Sequence, residues 1–270
     1  MTTKRLLEAA TLAALALMPL ASQAQRAEPW EFRASIYGWF PSIAGDTQFP
    51  SGAGGPQINV PAGDVLSALK MTFMGTASAK KGEWGVWTDV FYADLGGTKA
   101  GARDFTVGRH DLPAGVDANL SLDLKSWLWT VAGTYQLSHN SENTTDLVFG
   151  ARMLYMNQTL DYTFTGNIAS LGLPARTGRV EVDATNWDAV IGVKGEVAIT
   201  ADRRWFLPYY VDIGAGQSKF TWQALAGVAY AFDWGVTSLG WRYLDYEFKS
   251  DSPIQNMNFS GPFIGATFRW

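Results

Sequence analysis

From residue 30 to the last residue the chain alternates apolar and polar positions with a period of two, the signature of strands whose two faces meet different surroundings. Ten segments carry the pattern: 30–40, 71–81, 83–95, 118–137, 146–164, 183–200, 204–215, 219–232, 234–249 and 257–270. Their connections alternate in length. Lys81–Glu83, His139–Thr145, Thr200–Arg203 and Phe232–Trp234 are short and polar, whereas 41–70, 96–117, 165–182 and 250–256 are longer. Only Gly216–Lys219 is short where a long connection is due. Tight turns on one side and loops on the other predict a closed antiparallel transmembrane β-barrel of ten strands, with eight as the alternative and a short helix in the first long loop. An even strand number returns both ends of the chain to the turn side.

The faces follow strand by strand. Trp84, Val86, Val90 and Tyr92 oppose Trp87, Asp89 and Phe91; Phe149, Ala151, Met153 and Tyr155 oppose Gly150, Arg152 and Gln158. Trp187, Ala189, Ile191 and Val193 oppose Asp188, Gly192, Lys194 and Glu196; Leu207, Tyr209, Val211 and Ile213 oppose Tyr210 and Asp212. Charge belongs on the lumenal face, because Arg or Lys facing lipid at mid-depth costs about 2–4 kcal/mol. Two strands break the rule. Trp127 and Trp129 share a face with Asp123 and Lys125, and Arg242 shares one with Leu244, so bulges are predicted there. Trp30, Trp84, Trp205, Trp234 and Trp270 fall beside the ends or the short turns, where an indole can keep its ring in lipid and its N–H in water. Trp234 is out of phase with its strand.

Composition sharpens the picture. Charged residues are 17% of the chain and aromatic ones 14%, against the roughly 25% charge of a soluble domain. After residue 24 no apolar run approaches the ~20 residues of a membrane-spanning helix. Residues 1–24 read as a signal peptide, with Lys4 and Arg5 basic, Thr11–Leu20 apolar and Ser22-Gln23-Ala24 a small-x-small cleavage site. Glu8, near the apolar stretch, leaves an uncut inner-membrane anchor as the other reading. Cleavage leaves residues 25–270 as the barrel domain, with 19 Lys and Arg against 24 Asp and Glu and a net charge of −5. A mildly acidic chain without a basic cluster argues against a nucleic-acid partner. Without cysteine there is no lipoprotein anchor, disulfide or thiolate metal site.

The last ten residues, Gly261-Pro262-Phe263-Ile264-Gly265-Ala266-Thr267-Phe268-Arg269-Trp270, close on an aromatic with Phe268, Ala266 and Ile264 at alternate positions before it. This resembles the signal by which the outer-membrane assembly machinery recognises its clients. The chain as a whole is similar in pattern to Gram-negative outer-membrane barrels of the OmpA- and OmpW-like class. Tyr37–Gly45 and Gly240–Tyr246 resemble stretches of a family of small barrels of this kind. The resemblance implies an outer-membrane location, with lipid, the assembly machinery and periplasmic chaperones as partners. It transfers no catalytic residue.

Chemistry is sparse. Gly150, Gly192 and Gly240 each stand two positions before a base, Arg152, Lys194 and Arg242, on the same face, where a missing side chain makes room for a long neighbour. With Asp89, Asp188 and Asp212 these bases make a candidate lumenal network, which either packs the lumen or lines a path for a small solute. His110 in a long loop and His139 in a short turn face opposite sides, so the pair makes no site. His110 between Arg109 and Asp111 is a general-base candidate or a solvated loop residue. No serine sits in a nucleophile elbow, and Ser51–Gly55 lacks a phosphate-loop lysine. No catalytic, metal or cofactor residue is assigned. Asp64–Lys70 reads as a short helix capped by Asp64, either a plug or a surface turn. The expected role is non-enzymatic, structural or surface-binding, with a narrow solute channel and an outer-membrane enzyme as successive alternatives.

Overall fold

The computed structural model describes residues 28–47, 57–98, 106–107, 110–111, 116–166, 177–250, 252 and 254–270. The leader read over 1–24 and the glycine-rich 51–55 lie outside them. In chain order the elements are β1 (Glu31–Trp39), β2 (Ser42–Thr47), β3 (Gln57–Val60), α1 (Ala62–Ala68), β4 (Leu69–Lys81), β5 (Trp84–Thr98), β6 (Thr106–Val107), β7 (His110–Asp111) and β8 (Val116–His139). There follow β9 (Asn143–Gly166), β10 (Thr177–Ala198), β11 (Trp205–Gly216), β12 (Phe220–Ala231), β13 (Val236–Glu247) and β14 (Ile254–Arg269).

Ten of these strands pair antiparallel in the order β1, β4, β5, β8, β9, β10, β11, β12, β13, β14, and β14 pairs back onto β1. The closing seam runs from Arg33 opposite Arg269 to Trp39 opposite Phe263. Its last rung is reciprocal, the Phe32 and Trp270 amides each donating to the other's carbonyl at 3.0 and 3.1 Å. Closure leaves no edge among these ten strands, which a bilayer requires because an unpaired peptide group has no water there; beyond the end of β1, β2 pairs with β14 and β3 with β2 on the loop side. The barrel has ten strands, not eight.

The four short connections gather at the end that also holds the first and last described residues. Gly82 has φ +62°, the positive value that a two-residue hairpin turn needs at its first central position. In the turn after β10, the Asp202 carboxylate accepts from Thr200 Oγ1 at 2.6 Å and the Arg204 amide at 3.0 Å. These bonds hold its pKa below the usual carboxylate value, the Thr200 hydroxyl contributing most.

Five tryptophans, Trp30, Trp84, Trp205, Trp234 and Trp270, are exposed at this turn end. Trp234 belongs to the turn, not to its strand, which is why its phase disagreed. It stacks on Phe232 at 5.6 Å and leans on Phe268 at 5.7 Å. A second belt stands nearer the loop end: Tyr92 against Trp127 at 4.6 Å, Trp129 against Trp187 at 6.2 Å, Trp222 against Tyr243 at 4.7 Å, and Trp241. Along β5 the belts are eight residues apart, from Trp84 to Tyr92. At ~3.4 Å per residue and a tilt near 40° that is roughly 20 Å, close to the ~25 Å apolar band of outer-membrane barrels.

The bulge expected in β13 is absent, and β8 has none at Trp127–Trp129; its register shifts lie at Gln136/Ser138 against β9 and opposite Leu95/Thr98 of β5. Pairing is continuous from Leu124 to Tyr135 against β5 and along the whole of β13. In β8 the explanation is depth. Trp129 and Trp127 face outward in the belt; Lys125 and Asp123, on the same face, lie beyond it and pair with Asp94 at 3.9 Å and Lys70 at 3.0 Å. In β13, Arg242 and Leu244 both point inward and are buried. The helix begins at Ala62 after Pro61 instead of being capped by Asp64, and Lys70 belongs to β4. It is seated in the wall: Val65 is buried with Trp39, Ile43, Phe91, Leu95, Leu124 and Phe259.

Purified protein folded in detergent should show β-rich circular dichroism and migrate faster on a denaturing gel before boiling than after. Solubility without detergent after leader removal would contradict the exposed apolar belt. Gly82→Ala should cost about 1–2 kcal/mol, read as a lower denaturant midpoint with an unchanged spectrum, because a left-handed alanine is strained.

Candidate functional site

The lumen is layered from the turn end to the loop end, and each layer is built by inward residues at similar heights. At mid-height lies a polar layer. Arg242 donates through Nη2 to Asp89 Oδ2 at 2.6 Å and to Gln223 Oε1 at 2.8 Å, and through Nη1 to Tyr37 Oη at 2.8 Å. Tyr37 in turn donates to Asp89 Oδ1 at 2.6 Å. The second arginine, Arg152, is bound through Nη2 to Asp212 and lies near Thr130 and Thr221. Arg152, Arg242, Asp89 and Asp212 are all buried. A buried guanidinium tolerates such a place only if a carboxylate and further acceptors replace its water.

The structure brings four of the six candidate network residues into these two pairs. The other two stand apart. Asp188 lies opposite Arg152 in the β9–β10 register but accepts from the Ser218 amide at 2.8 Å, and its Oδ2 has no protein partner. Lys194 is lower down, in the turn-end chamber. The glycines do a different job from the one expected. A Cβ on Gly150 would stand 2.1 Å from the Val131 carbonyl oxygen, on Gly192 2.2 Å from that of Val211, and on Gly240 2.2 Å from that of Ala226. They admit the backbone of the adjacent strand, not the long side chain two positions on.

Above the polar layer the lumen is apolar, which the sequence reading missed. Trp39 lies at the boundary: Arg242 Cζ stands 4.7 Å from its ring centroid, Phe91 meets it edge-on at 5.5 Å, and Phe259 lies at 6.2 Å. Leu128, Leu154, Met156, Leu244, Tyr246 and Met257 complete the plug, with Phe248 and Ile254 above. The available signal was the outer face. On β5, β8, β9 and β10 it turns polar beyond the belt, with Asp94, Lys125, Asn157 and Asp183, so the apolar residues there must point inward.

Below the polar layer a chamber of about 270 Å³ opens toward the turn end. Its wall carries Arg33 paired with Glu196 at 3.1 Å, Lys80 paired with Asp146 at 3.2 Å, and Lys194. His139, at the turn end, makes a 3.2 Å bond with Thr144 Oγ1, while His110 belongs to β7, which among the described residues pairs with β6. Among the described residues no three His, Asp or Glu side chains gather as a metal site would need. Of the assembly-signal residues, Ile264, Ala266 and Phe268 lie on the closing strand β14 and Trp270 directly after it: Ile264, Phe268 and Trp270 are exposed and Ala266 is half-buried between Ile36 and Thr237.

No family model and no curated relative matches the chain. Among solved structures it is similar to the outer-membrane protease OmpT of Escherichia coli, at 8% identity and a TM-score of 0.55 over 90% of this chain and 97% of that one. The attachment invasion locus protein Ail of Yersinia pestis matches at 9% identity and a TM-score of 0.32, over 90% of this chain and 99% of that one. The Pseudomonas putida toluene transporter TodX matches at 10% and 0.23, over 95% and 92%. At such identities the likeness is one of fold, and only the first carries weight even for that. The belts, the closing seam and this likeness together make the chain an outer-membrane-type β-barrel.

Proposed function

We propose that the protein is a non-conducting, non-enzymatic barrel of the bacterial outer membrane, with its turn end in the periplasm, serving as a structural and surface-interaction element. The observation that carries this reading is the lumen, occluded by a layer of two arginine–carboxylate pairs and, above it, by the Trp39-centred plug. Support for a surface role comes from β8, β9 and β10, at 24, 24 and 22 residues, against the ~9–11 that cross a bilayer. Their excess forms a wall above the loop-side belt, with polar groups such as Asn157, bonded to Glu181 and Asp183, on its flank. Delivery would use the leader, the C-terminal signal and periplasmic chaperones, and lipid would contact the belt-bounded band.

Planar-bilayer recording of the refolded protein should show no steady conductance; stable ohmic channels would overturn the reading. In cells, deletion of the gene should lower resistance to detergents without slowing solute uptake, and an uptake defect would favour a transport role instead. Protein from outer-membrane fractions should begin at Gln25 on N-terminal sequencing, whereas an intact Met1 would point to an uncut anchor. Arg152→Leu leaves the Asp212 carboxylate buried without its partner and should cost about 3–5 kcal/mol of stability in detergent. The double variant Arg152→Leu/Asp212→Leu should recover most of that loss, because two packed apolar side chains can replace a buried pair at little cost.

A further inference from the structure

The chamber at the turn end has no task in a barrel that only anchors and displays. It is a dead end, closed above by the Arg242–Asp89 layer, and open toward the side on which the turns lie. Each of its cations but one has a carboxylate within 4 Å. Arg33 shares Glu196 with Arg269, at 3.1 and 3.7 Å. Lys80 holds Asp146 at 3.2 Å and also donates to Gln136. Lys194 lies beside Asp146 in the β9–β10 register, yet that carboxylate is taken by Lys80. Among the described residues the Lys194 ammonium has neither an ion pair nor a hydrogen bond, and it stands 5.0 Å from the centroid of the Trp87 ring. Glu31, the remaining acid of the wall, is exposed at the rim.

Besides these charged groups, the wall near Lys194 carries aromatic and apolar side chains. Trp87 meets Tyr210 edge-on at 5.2 Å, and Leu225 packs against the same cluster. Phe263 also faces the chamber. A cleft with apolar and aromatic walls and a few convergent polar groups is the usual form of a small-molecule site, and among the described residues the convergent cation without a partner is Lys194. A volume near 270 Å³ falls just below the ~300 Å³ at which drug-sized pockets begin, so the ligand is small. We infer that this chamber binds a small aromatic monocarboxylate from the periplasm, its carboxylate on Lys194 and its ring among Trp87, Tyr210 and Leu225. A charge-assisted bond between ammonium and carboxylate in a partly dry site is among the stronger single contacts available. Neighbouring carboxylates disfavour a second negative charge, which is why a monoanion fits better than phosphate dianion.

The test is calorimetric titration of the detergent-folded full-length mature protein at low salt with 3-phenylpropionate, its uncharged amide, acetate and inorganic phosphate. Wild type should bind 3-phenylpropionate with Kd below ~1 mM and the other three at least tenfold more weakly. Lys194→Met should lose at least tenfold in affinity, and Lys194→Arg should keep most of it. Heat-modifiable migration checks that each variant is folded, and Lys194→Met removes only an unpaired charge. Equal affinity for the amide or for Lys194→Met would overturn the role of Lys194. Equal binding of acetate or phosphate would overturn the aromatic carboxylate as ligand, and absence of binding by all four would overturn the site. None of these outcomes bears on conductance, so the closed-barrel reading stands or falls separately.

Discussion

Everything inside this protein follows from the closure of β14 on β1. In lipid each unpaired peptide group on an edge costs several kcal/mol, so the seam between Arg33–Trp39 and Phe263–Arg269 is a condition for crossing the membrane at all. Closing at ten strands then fixes the width of the lumen, slightly beyond the eight-stranded size that side chains fill unaided. Long residues must reach across it. Arginine does so from β9 and β13: Arg152 meets Asp212 on β11, two strands along the wall, and Arg242 meets Asp89 on β5, four strands round it. The two pairs thus cross-brace strands that are distant in sequence, with separations of 60 and 153 residues.

The lumen changes character with height because the surroundings of the wall change. Between the aromatic belts the outside is lipid, so the outer face is apolar and the inner face carries charge. Beyond the loop-side belt the outside is water, and the same alternation is inverted: Asp94, Lys125 and Asn157 face out while Leu95, Leu124, Leu128, Leu154 and Met156 fill the interior. The loop-side half is built like a small water-soluble barrel and the turn-side half like a membrane one. Trp39 joins the two regimes, touching Arg242 on one side and Phe91 and Phe259 on the other.

That inversion decides how much was legible in the sequence. A period of two specifies strands, their number and the alternation of faces, and the positions of the ten segments carried over with shifts of a few residues at most ends and six at the start of β10. It does not say which face is inside once a strand outruns the bilayer. The Asp123, Lys125 and Trp127 face looked like a register fault for this reason alone. Arg152, Arg242, Asp89 and Asp212 stood out as charges on otherwise enclosed faces, but their partners did not: pairing across the lumen depends on barrel width and stagger, which no local pattern contains. Lys194 looked in sequence like Arg152, and differs only because Lys80, on a strand remote in sequence, has the nearer hold on Asp146.

The division between the two halves also bears on the journey before insertion. A chain destined for lipid is hazardous in water in proportion to the apolar surface it cannot hide. Here the segments nearest the loops can satisfy themselves by collapsing inward, since their apolar residues already converge on one another. The apolar surface that stays uncovered is the lower girdle and the band above it, from Phe32, Trp84 and Trp205 to Ile213, Leu239 and Ile264. Solubility in transit is therefore a problem of one ring of sequence positions, and handing over that ring to the bilayer is the step that commits the chain to its place.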